Sequence, residues 1–323
     1  MNTGIPSGRG PISVVAPVGP AIERVKNSLF RPFDLRRWLA IGFTAWLALL
    51  ADGGGGGGGG GGNFGNRNGG NGVREAMDRA VEYIRDNLTW LVPVVVVGVL
   101  VLLAVGLVLL WLSSRGRFMF LHNVATGRAD VVAPWDAYAA PAFSLFIFRV
   151  IVGFGGLLLL VPLALVTGVS IFRMIQQQAF SPGGLVLSIG AGLAVAVIGL
   201  ALFLVDKLTK DFVVPVMYLG QTSCRSAWGK FYGLMSSAPL EFAIYLLFHL
   251  LLSIAVTLCV VMVVILTCCV AACFLAIPYV GVVLLLPVHM FFRAYSAGYL
   301  AQYGEEWDVF RPPTGMASMP PST

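Results

Sequence analysis

Charged side chains are scarce in this sequence. Asp, Glu, Lys and Arg make up 11% of its 323 residues, whereas a soluble domain carries about 25%. Hydrophobic residues make up 58%, and the mean hydropathy is +0.86. So few charges cannot cover a water-facing surface of this size, which excludes a soluble enzyme, a disordered chain and a secreted disulfide scaffold. The composition predicts an integral membrane protein whose main partner is the lipid bilayer.

Acidic residues are missing from the apolar runs. All 15 Asp and Glu residues fall at the ends of the runs, in loops or in tails. Coupled transport commonly needs a carboxylate inside a span, and the sequence contains no H-E-x-x-H zinc motif. No basic stripe lies on a soluble segment, which disfavours nucleic acid as a partner. We therefore predict no catalytic residue, no metal, no cofactor and no enzymatic activity.

Cysteine is rare as well, with five residues and no C-x-x-C pair. Two interpretations stay open for Cys268, Cys269 and Cys273. Their apolar surroundings favour small hydrophobic residues within helices, and the alternative is a disulfide or metal site. A secretory signal is also missing, because residues 1–20 hold four Pro and four Gly and no compact apolar core. Residues 1–20 are predicted to be a disordered cytoplasmic tail, and residues 311–323 a second disordered tail.

Long uncharged runs predict six membrane spans within a single domain, residues 21–310. Three runs, 91–112, 150–172 and 185–205, each match the roughly 20 residues that a spanning helix needs. Residues 242–292 are 51 in number and uncharged, far too long for one span, so they predict two spans with a tight turn. Residues 38–51 are only 14 in number and reach across only if Arg36 and Arg37 snorkel; a half-inserted helix is the alternative. The predicted fold is an all-α bundle of six spans in three helical hairpins.

The distribution of Lys and Arg predicts the orientation. Sixteen of the 21 basic residues fall on the side that holds both termini, and five fall on the other side. Because cytoplasmic loops collect Lys and Arg, both termini are expected in the cytoplasm, in a multi-pass protein of the bacterial inner membrane. A glycine-rich stretch of low complexity, residues 52–72, is then a flexible linker on the outer side. An amphipathic helix over residues 73–88 is expected to follow it on that side.

Short amphipathic segments precede alternate spans and suggest an internal repeat. The units are residues 21–127, 128–222 and 223–303, each an interfacial helix followed by two spans. Aromatic and basic side chains are typical of headgroup depth. The predicted interfacial anchors are Arg36, Arg37, Trp38, Trp135 and Trp228.

Several short motifs resemble those of a loose group of uncharacterised bacterial multi-pass proteins. These proteins are similar to the membrane domain attached to some glycerophosphoryl diester phosphodiesterases. The motifs are residues 31–34 (Arg-Pro-Phe-Asp), the helices around Trp135 and Trp228, residues 277–281 (Ile-Pro-Tyr-Val-Gly) and residues 303–306 (Tyr-Gly-Glu-Glu). The resemblance extends from about residue 21 to residue 309 and carries no catalytic residue. It implies a membrane-embedded accessory role, because no soluble segment here is long enough to hold a phosphodiesterase domain.

Basic side chains at the cytoplasmic ends of spans are the candidate site. They are Arg149, His249, His289 and Arg293. One interpretation is snorkelling of cations to the interface. The other is convergence between helices around the phosphate of an anionic lipid headgroup, because ionisable groups in spans are costly.

Three functions follow from these features. The first is a non-enzymatic membrane scaffold or anionic-lipid-binding protein. The alternative is a transporter or channel for a small or lipidic solute, which the Gly and Pro residues in the spans favour, although small residues also permit close helix packing. An enzyme acting on lipid-linked phosphates is disfavoured, since the sequence lacks an acidic or metal-binding cluster.

Overall fold

The computed structural model describes residues 12–52, 86–177, 182–267 and 270–311. Several predictions fall wholly or largely outside these residues. They are the first eleven residues of the N-terminal tail, the glycine-rich linker beyond Asp52, most of the helix over residues 73–88, Cys268 and Cys269, and the C-terminal tail beyond Arg311.

Every regular element in the described residues is helical, which confirms the all-α class. The helices are α1 (Val18–Val25), α2 (Leu35–Leu49), α3 (Leu88–Thr126), α4 (Val132–Ala137), α5 (Ala139–Gln177), α6 (Pro182–Leu208), α7 (Val214–Gly220), α8 (Cys224–Ser237), α9 (Pro239–Leu266), α10 (Val270–Ala276), α11 (Pro278–Leu284) and α12 (Leu286–Ala301). Single π-helical stretches, Lys26–Phe30 and Thr209–Val213, extend α1 and join α6 to α7. A 3₁₀ turn, Glu305–Trp307, lies near the C-terminus.

Among the described residues, four helical segments are long and apolar enough to cross a membrane. The pair α11 and α12, bent by 63°, forms a fifth if it counts as one span. The four are Thr89–Thr126, Ala139–Arg173, Pro182–Gly220 and Pro239–Leu266. A helix of 39 residues such as α3 is about 58 Å long, against a hydrocarbon core of about 30 Å. The excess is the polar end of each helix, so these helices continue well beyond their apolar runs.

The first predicted span differs from the structure. Residues 38–51 lie mostly in α2, which has 15 residues and is not among the helices long enough to cross. It packs antiparallel to the polar end of α3, where Arg37 donates to the carbonyl of Gly127 and Ser113 Oγ donates to the carbonyl of Ala48 at 2.7 Å. The physical reason is a close helix contact: a Cβ on Gly116 would lie 2.5 Å from the Ala48 nitrogen. Protein contacts of this kind bury one face of α2, whereas the sequence prediction made residues 38–51 a membrane span or a half-inserted helix.

The largest fully buried side chains lie together at the polar ends of the long helices. They are Tyr138, Tyr245, Tyr295, Tyr299, Phe118, Phe212, Phe231, Ile41, Met119, Leu121, Leu145 and Met217. We call this packed part, made of α1, α2, α4, α7, α8, α12 and the polar ends of α3, α5, α6 and α9, the head. By contrast, at most 6% of the most apolar window of each long helix is buried. The apolar runs therefore project from a well-packed head.

The N-terminal segment differs from the predicted boundary of the tail. Residues 12–17 are not a free tail, because the Ser13 amide donates to the Gln302 side chain at 3.0 Å and Tyr295 donates its hydroxyl proton to the Val14 carbonyl at 3.0 Å. These contacts attach Ser13 and Val14 to α12 and to Gln302, the residue that follows it.

The predicted interfacial anchors occupy different environments. Trp38 donates its ring N–H to the Val283 carbonyl at 3.0 Å, and Trp135 packs edge-on against Trp111 with ring centroids 5.9 Å apart. Trp228 packs among aromatic rings of the head, including Phe148. Arg37 is bound to Gly127, as described above, whereas Arg36 is exposed. Only some of these side chains are therefore free to meet lipid headgroups.

Candidate functional site

An ionic cluster lies where the apolar runs meet the head. Arg117 and Arg149 each place Nη2 2.8 Å from the same Asp52 carboxylate oxygen, Oδ1. Lys210 places Nζ 3.1 Å from the other oxygen, Oδ2. A single carboxylate at the end of α2 thus joins α3, α5 and the segment after α6.

Asp52 is held in its ionised form by these neighbours. Its side chain is only 13% exposed, and burial by itself disfavours the charged form. The charges of Arg117, Lys210 and Arg149 outweigh that cost, and the pKa of Asp52 is lowered from its ordinary value. The carboxylate is therefore a fixed negative charge that gathers three cations.

Asp206 is the second carboxylate of the cluster and the more open one. Its Oδ2 lies 2.6 Å from Lys210 Nζ, and its Oδ1 lies 3.5 Å from Arg117 Nη2. Its side chain is 42% exposed, and that of Lys210 is 29% exposed. The cluster is therefore accessible from the side where Asp206 and Lys210 lie.

Arg293 enters the same cluster from α12. It donates one N–H to the Lys210 carbonyl, and its charge lies near enough to Arg117 for the two guanidinium groups to repel each other. Together with Asp52, Asp206, Arg117, Arg149 and Lys210, Arg293 forms what we call the cation cluster.

Three buried guanidinium nitrogens of this cluster have no hydrogen-bond partner among the described residues. They are Nη1 of Arg117 and both Nε and Nη2 of Arg293. Leaving a buried donor unpaired costs about 1–3 kcal/mol. These three nitrogens belong to two cations that repel each other, so they are suited to bind an anion.

A second ionic group lies beside Arg293. Lys207 Nζ is 2.9 Å from Asp211 Oδ2, and Tyr245 donates its hydroxyl proton to the same oxygen at 3.1 Å. Lys207 Nζ also lies 2.9 Å from His249 Nε2. Because an ammonium group has only donors, Nε2 must accept, and His249 is neutral in this arrangement.

The spacing of charges along the chain explains how one segment serves both groups. Asp206 and Lys210 are four residues apart, as are Lys207 and Asp211, so each pair lies on one helical face. Lys210 and Asp211 belong to the π-helical stretch Thr209–Val213. Such local widening of a helix is frequent at functional sites.

The structure brings two of the four predicted site residues into the cation cluster, Arg149 and Arg293. His249 belongs to the neighbouring group with Lys207 and Asp211. His289 lies one turn before Arg293 on α12 and is partly buried; no side-chain hydrogen bond joins it to any other described residue. Convergence of all four side chains on one phosphate stays a prediction.

Sequence reasoning missed Asp52, Asp206, Arg117 and Lys210 as site residues. A signal for the last three was available, because each lies a few residues beyond the end of an apolar run and so at a similar depth. Asp52 was hidden by the assumption that residues 38–51 cross the membrane. That assumption placed Asp52 on the opposite side from Arg117 and Arg149, which it contacts.

Metal-binding groups and surface cavities are the other possible ligand sites. In the described parts of the chain, no group of three or more His, Cys, Asp or Glu side chains could hold a metal ion. Two surface cavities, of about 280 and 370 Å³, lie near the chain ends; Arg24 and Phe310 line the first, and Glu241 and Tyr299 line the second. Neither is lined by a member of the cation cluster. The cluster is nevertheless the strongest candidate for ligand binding, because it holds buried donors without a partner among the described residues.

The fold and this site define the class: a multi-pass membrane protein with a packed head and a buried cation cluster at the base of its spans. The chain belongs to a family of unknown function, DUF7544, whose model matches residues 12–304. No curated protein and no solved structure matches the chain.

Proposed function

We propose that this protein is a non-enzymatic membrane scaffold that binds the phosphate of an anionic lipid headgroup in its cation cluster. The observation that carries the proposal is the set of three buried nitrogens on Arg117 and Arg293 that have no partner in the described part of the chain. Guanidinium groups match phosphate geometry through paired N–H donors. A phosphate bound there would also relieve the repulsion between the two cations.

The depth of the cluster supports a lipid as the source of that phosphate. Arg117 follows the uncharged residues 91–112, and Arg149 directly precedes the uncharged residues 150–172. The end of an apolar run is the depth at which headgroups begin, and basic pockets between helices on the cytoplasmic side are typical headgroup sites. The bilayer therefore presents phosphate groups at this level.

We expect the head to face the cytoplasm in the inner membrane, since most basic residues lie on its side. The six-span arrangement needs α2 to cross, which the contacts of Asp52 with Arg117 and Arg149 do not favour, and the alternative is that α2 stays with the head. The resemblance to membrane domains of glycerophosphoryl diester phosphodiesterases is compatible with either arrangement and stays a prediction.

Cysteine labelling tests the orientation of the head and distinguishes the two arrangements of α2. In a variant without native cysteines, we expect Ser181→Cys to react with an impermeant maleimide on intact cells, and Ser236→Cys to react only after permeabilisation. Ser236 is exposed on the head, whereas Ser181 lies in the sequence between α5 and α6, two helices long enough to cross a membrane. Labelling of Ser236→Cys on intact cells would overturn the orientation. Gly65→Cys reports on α2: labelling on intact cells supports six spans, and protection supports a first helix that stays with the head.

Lipid binding should depend on Arg293. We expect Arg293→Gln to weaken binding of an anionic lipid by about 10- to 100-fold, because one charged hydrogen-bonding group is worth about 1.5–3 kcal/mol. The measurement is native mass spectrometry of the full chain in detergent, titrated with phosphatidylglycerol and phosphatidate. Arg225→Gln is the matched control, since Arg225 is exposed on α8 and its loss changes the net charge equally.

Two further variants guard against a folding defect. Arg293→Lys keeps the charge and should retain part of the binding, and thermal unfolding of each variant shows whether the head is intact. Equal lipid occupancy in wild type, Arg293→Gln and Arg225→Gln would refute the proposal. A transport function has no comparable support, because neither cavity described above is lined by Arg149 or His249.

A further inference from the structure

The charge balance of the site has a consequence for its ligand. Asp211 is paired with Lys207 and interacts electrostatically with Arg293. Adding this pair to the cation cluster gives eight charged side chains. Five are cations, namely Arg117, Arg149, Lys207, Lys210 and Arg293, and three are carboxylates, namely Asp52, Asp206 and Asp211. With His249 neutral, the net charge is +2. Buried charges are costly unless paired. Because the excess rises to +3 when Asp206 leaves the site, a ligand of charge −2 balances more of it than a ligand of charge −1.

We infer that the site takes a dianionic phosphate monoester headgroup, of the phosphatidate type, in the position that the Asp206 carboxylate holds in this structure. The inference rests on the proposed function and specifies its ligand. It joins two observations, the net charge of the site and the arrangement of its two carboxylates.

The Asp206 carboxylate occupies a position that a bound phosphate could take over. Its two oxygens contact Lys210 and Arg117, as two oxygens of a phosphate would. It is 42% exposed, whereas Asp52 is 13% exposed and binds three cations. Asp52 is therefore the fixed carboxylate, and Asp206 is the one that can rotate into solvent when a stronger anion arrives.

The number of donors favours a monoester over a diester. Release of Asp206 frees Lys210 and Arg117 Nη2, in addition to the unpartnered nitrogens of Arg117 and Arg293. A phosphate monoester has three terminal oxygens and a charge of about −1.5 to −2 at pH 7, whereas a diester such as phosphatidylglycerol has two terminal oxygens and a charge of −1. The monoester satisfies more donors and more of the excess charge.

The test compares ligands and one acidic residue. We expect the full chain in detergent to bind short-chain phosphatidate about tenfold more tightly than phosphatidylglycerol at pH 7.5, which is the worth of about one charge-assisted hydrogen bond. The preference should shrink at pH 5.5, where the monoester gains a proton. Asp206→Asn should strengthen phosphatidate binding by about tenfold because the competing anion is gone. Asp136→Asn, an exposed acid on α4, is the control and should leave binding unchanged.

The outcomes separate this inference from the proposed function. If phosphatidate and phosphatidylglycerol bind equally and both are lost in Arg293→Gln, the anionic-lipid site stands and the monoester inference is overturned. Asp206→Asn binding no better than wild type overturns the displacement of Asp206. An arm with inorganic phosphate and glycerol 3-phosphate identifies the source. If these bind and phosphatidate does not, the phosphate chemistry stands and a lipid source is overturned.

Discussion

Asp52→Asn is expected to destabilise the protein by about 3–5 kcal/mol, the range found when one partner of a buried ion pair is removed. Asp52 contacts three cations, and none of them gains a new carboxylate when it is lost, because Asp206 already contacts Lys210 and Arg117. The amide leaves Arg149 without any carboxylate contact among the described residues. The loss is measured as a fall in the melting temperature of the detergent-solubilised protein.

Two variants test the cause of this loss. Asp136→Asn removes the same charge from an exposed position and is expected to change stability by less than about 0.5 kcal/mol. Adding Arg149→Gln to Asp52→Asn removes one stranded cation, so the double variant should recover part of the stability. A double variant less stable than Asp52→Asn by the full cost of Arg149→Gln alone would show that the two residues do not interact.

The pH dependence of the Asp52→Asn effect follows from the lowered pKa of Asp52. A carboxylate whose pKa is lower in the folded state contributes stability above its unfolded pKa, about 3.9, and loses that contribution as pH falls through the folded pKa. The difference in the free energy of unfolding between wild type and Asp52→Asn should therefore be constant from pH 5 to 8. This difference should become smaller only below about pH 4. Narrowing between pH 7 and 5 would contradict the charged state assigned to Asp52.

Gly116→Ala is expected to destabilise the head by about 3 kcal/mol, the upper end of typical overpacking costs. The new Cβ would lie 2.5 Å from the Ala48 nitrogen and 2.6 Å from the Leu47 carbonyl carbon. These are backbone atoms of α2, so no side-chain rotation relieves the contact. The variant must push α2 away from α3.

Gly106→Ala on the same helix is the matched control. A Cβ at Gly106 meets nothing within 4 Å, and Ala is a better helix former than Gly by about 0.5–1 kcal/mol. This variant should be neutral or slightly more stable. Equal melting temperatures for Gly116→Ala and wild type would show that α2 is not packed against α3 as the structure has it.

Two features of the structure fix the position of α2. Glycine packing sets the distance between α2 and α3, and the Asp52 carboxylate fixes the far end of α2 to Arg117 and Arg149. If the cation cluster binds lipid phosphate as proposed, the position of α2 contributes to the site, because Asp52 orients two of its cations.

The helical class and the lengths of the apolar helices were predictable because they depend on local properties of the sequence. An uncharged run of 22 residues, such as residues 91–112, must be helical in a bilayer, since every backbone N–H and C=O needs an internal partner. This argument predicts the all-α class and four of the helices long enough to cross. It applies poorly to residues 38–51, because 14 residues are too short to decide between lipid and protein as the neighbour.

The cation cluster shows what sequence could and could not predict. The sequence placed Arg149 and Arg293 near the ends of apolar runs and predicted that cations gather there. It could not identify the carboxylate that binds Arg149 and Arg117, because Asp52 lies 97 residues from Arg149 and 65 from Arg117 along the chain. Such pairings depend on which helices pack together. They are set by close contacts such as Gly116 against α2, not by local hydropathy.

The sequence by itself determined a helical membrane protein that has few charges and carries most of its basic residues on one side. These features were accessible because hydropathy and charge are properties of single residues. Only the tertiary structure decided that α2 belongs to the head and that Asp52 joins three cations. It also decided that Arg117 and Arg293 keep donors without a partner among the residues that the structure describes. The physical reason is that the nearest opposite charge decides whether a charged side chain in apolar surroundings is paired or is left to bind a ligand. That neighbour is fixed by packing between distant parts of the chain.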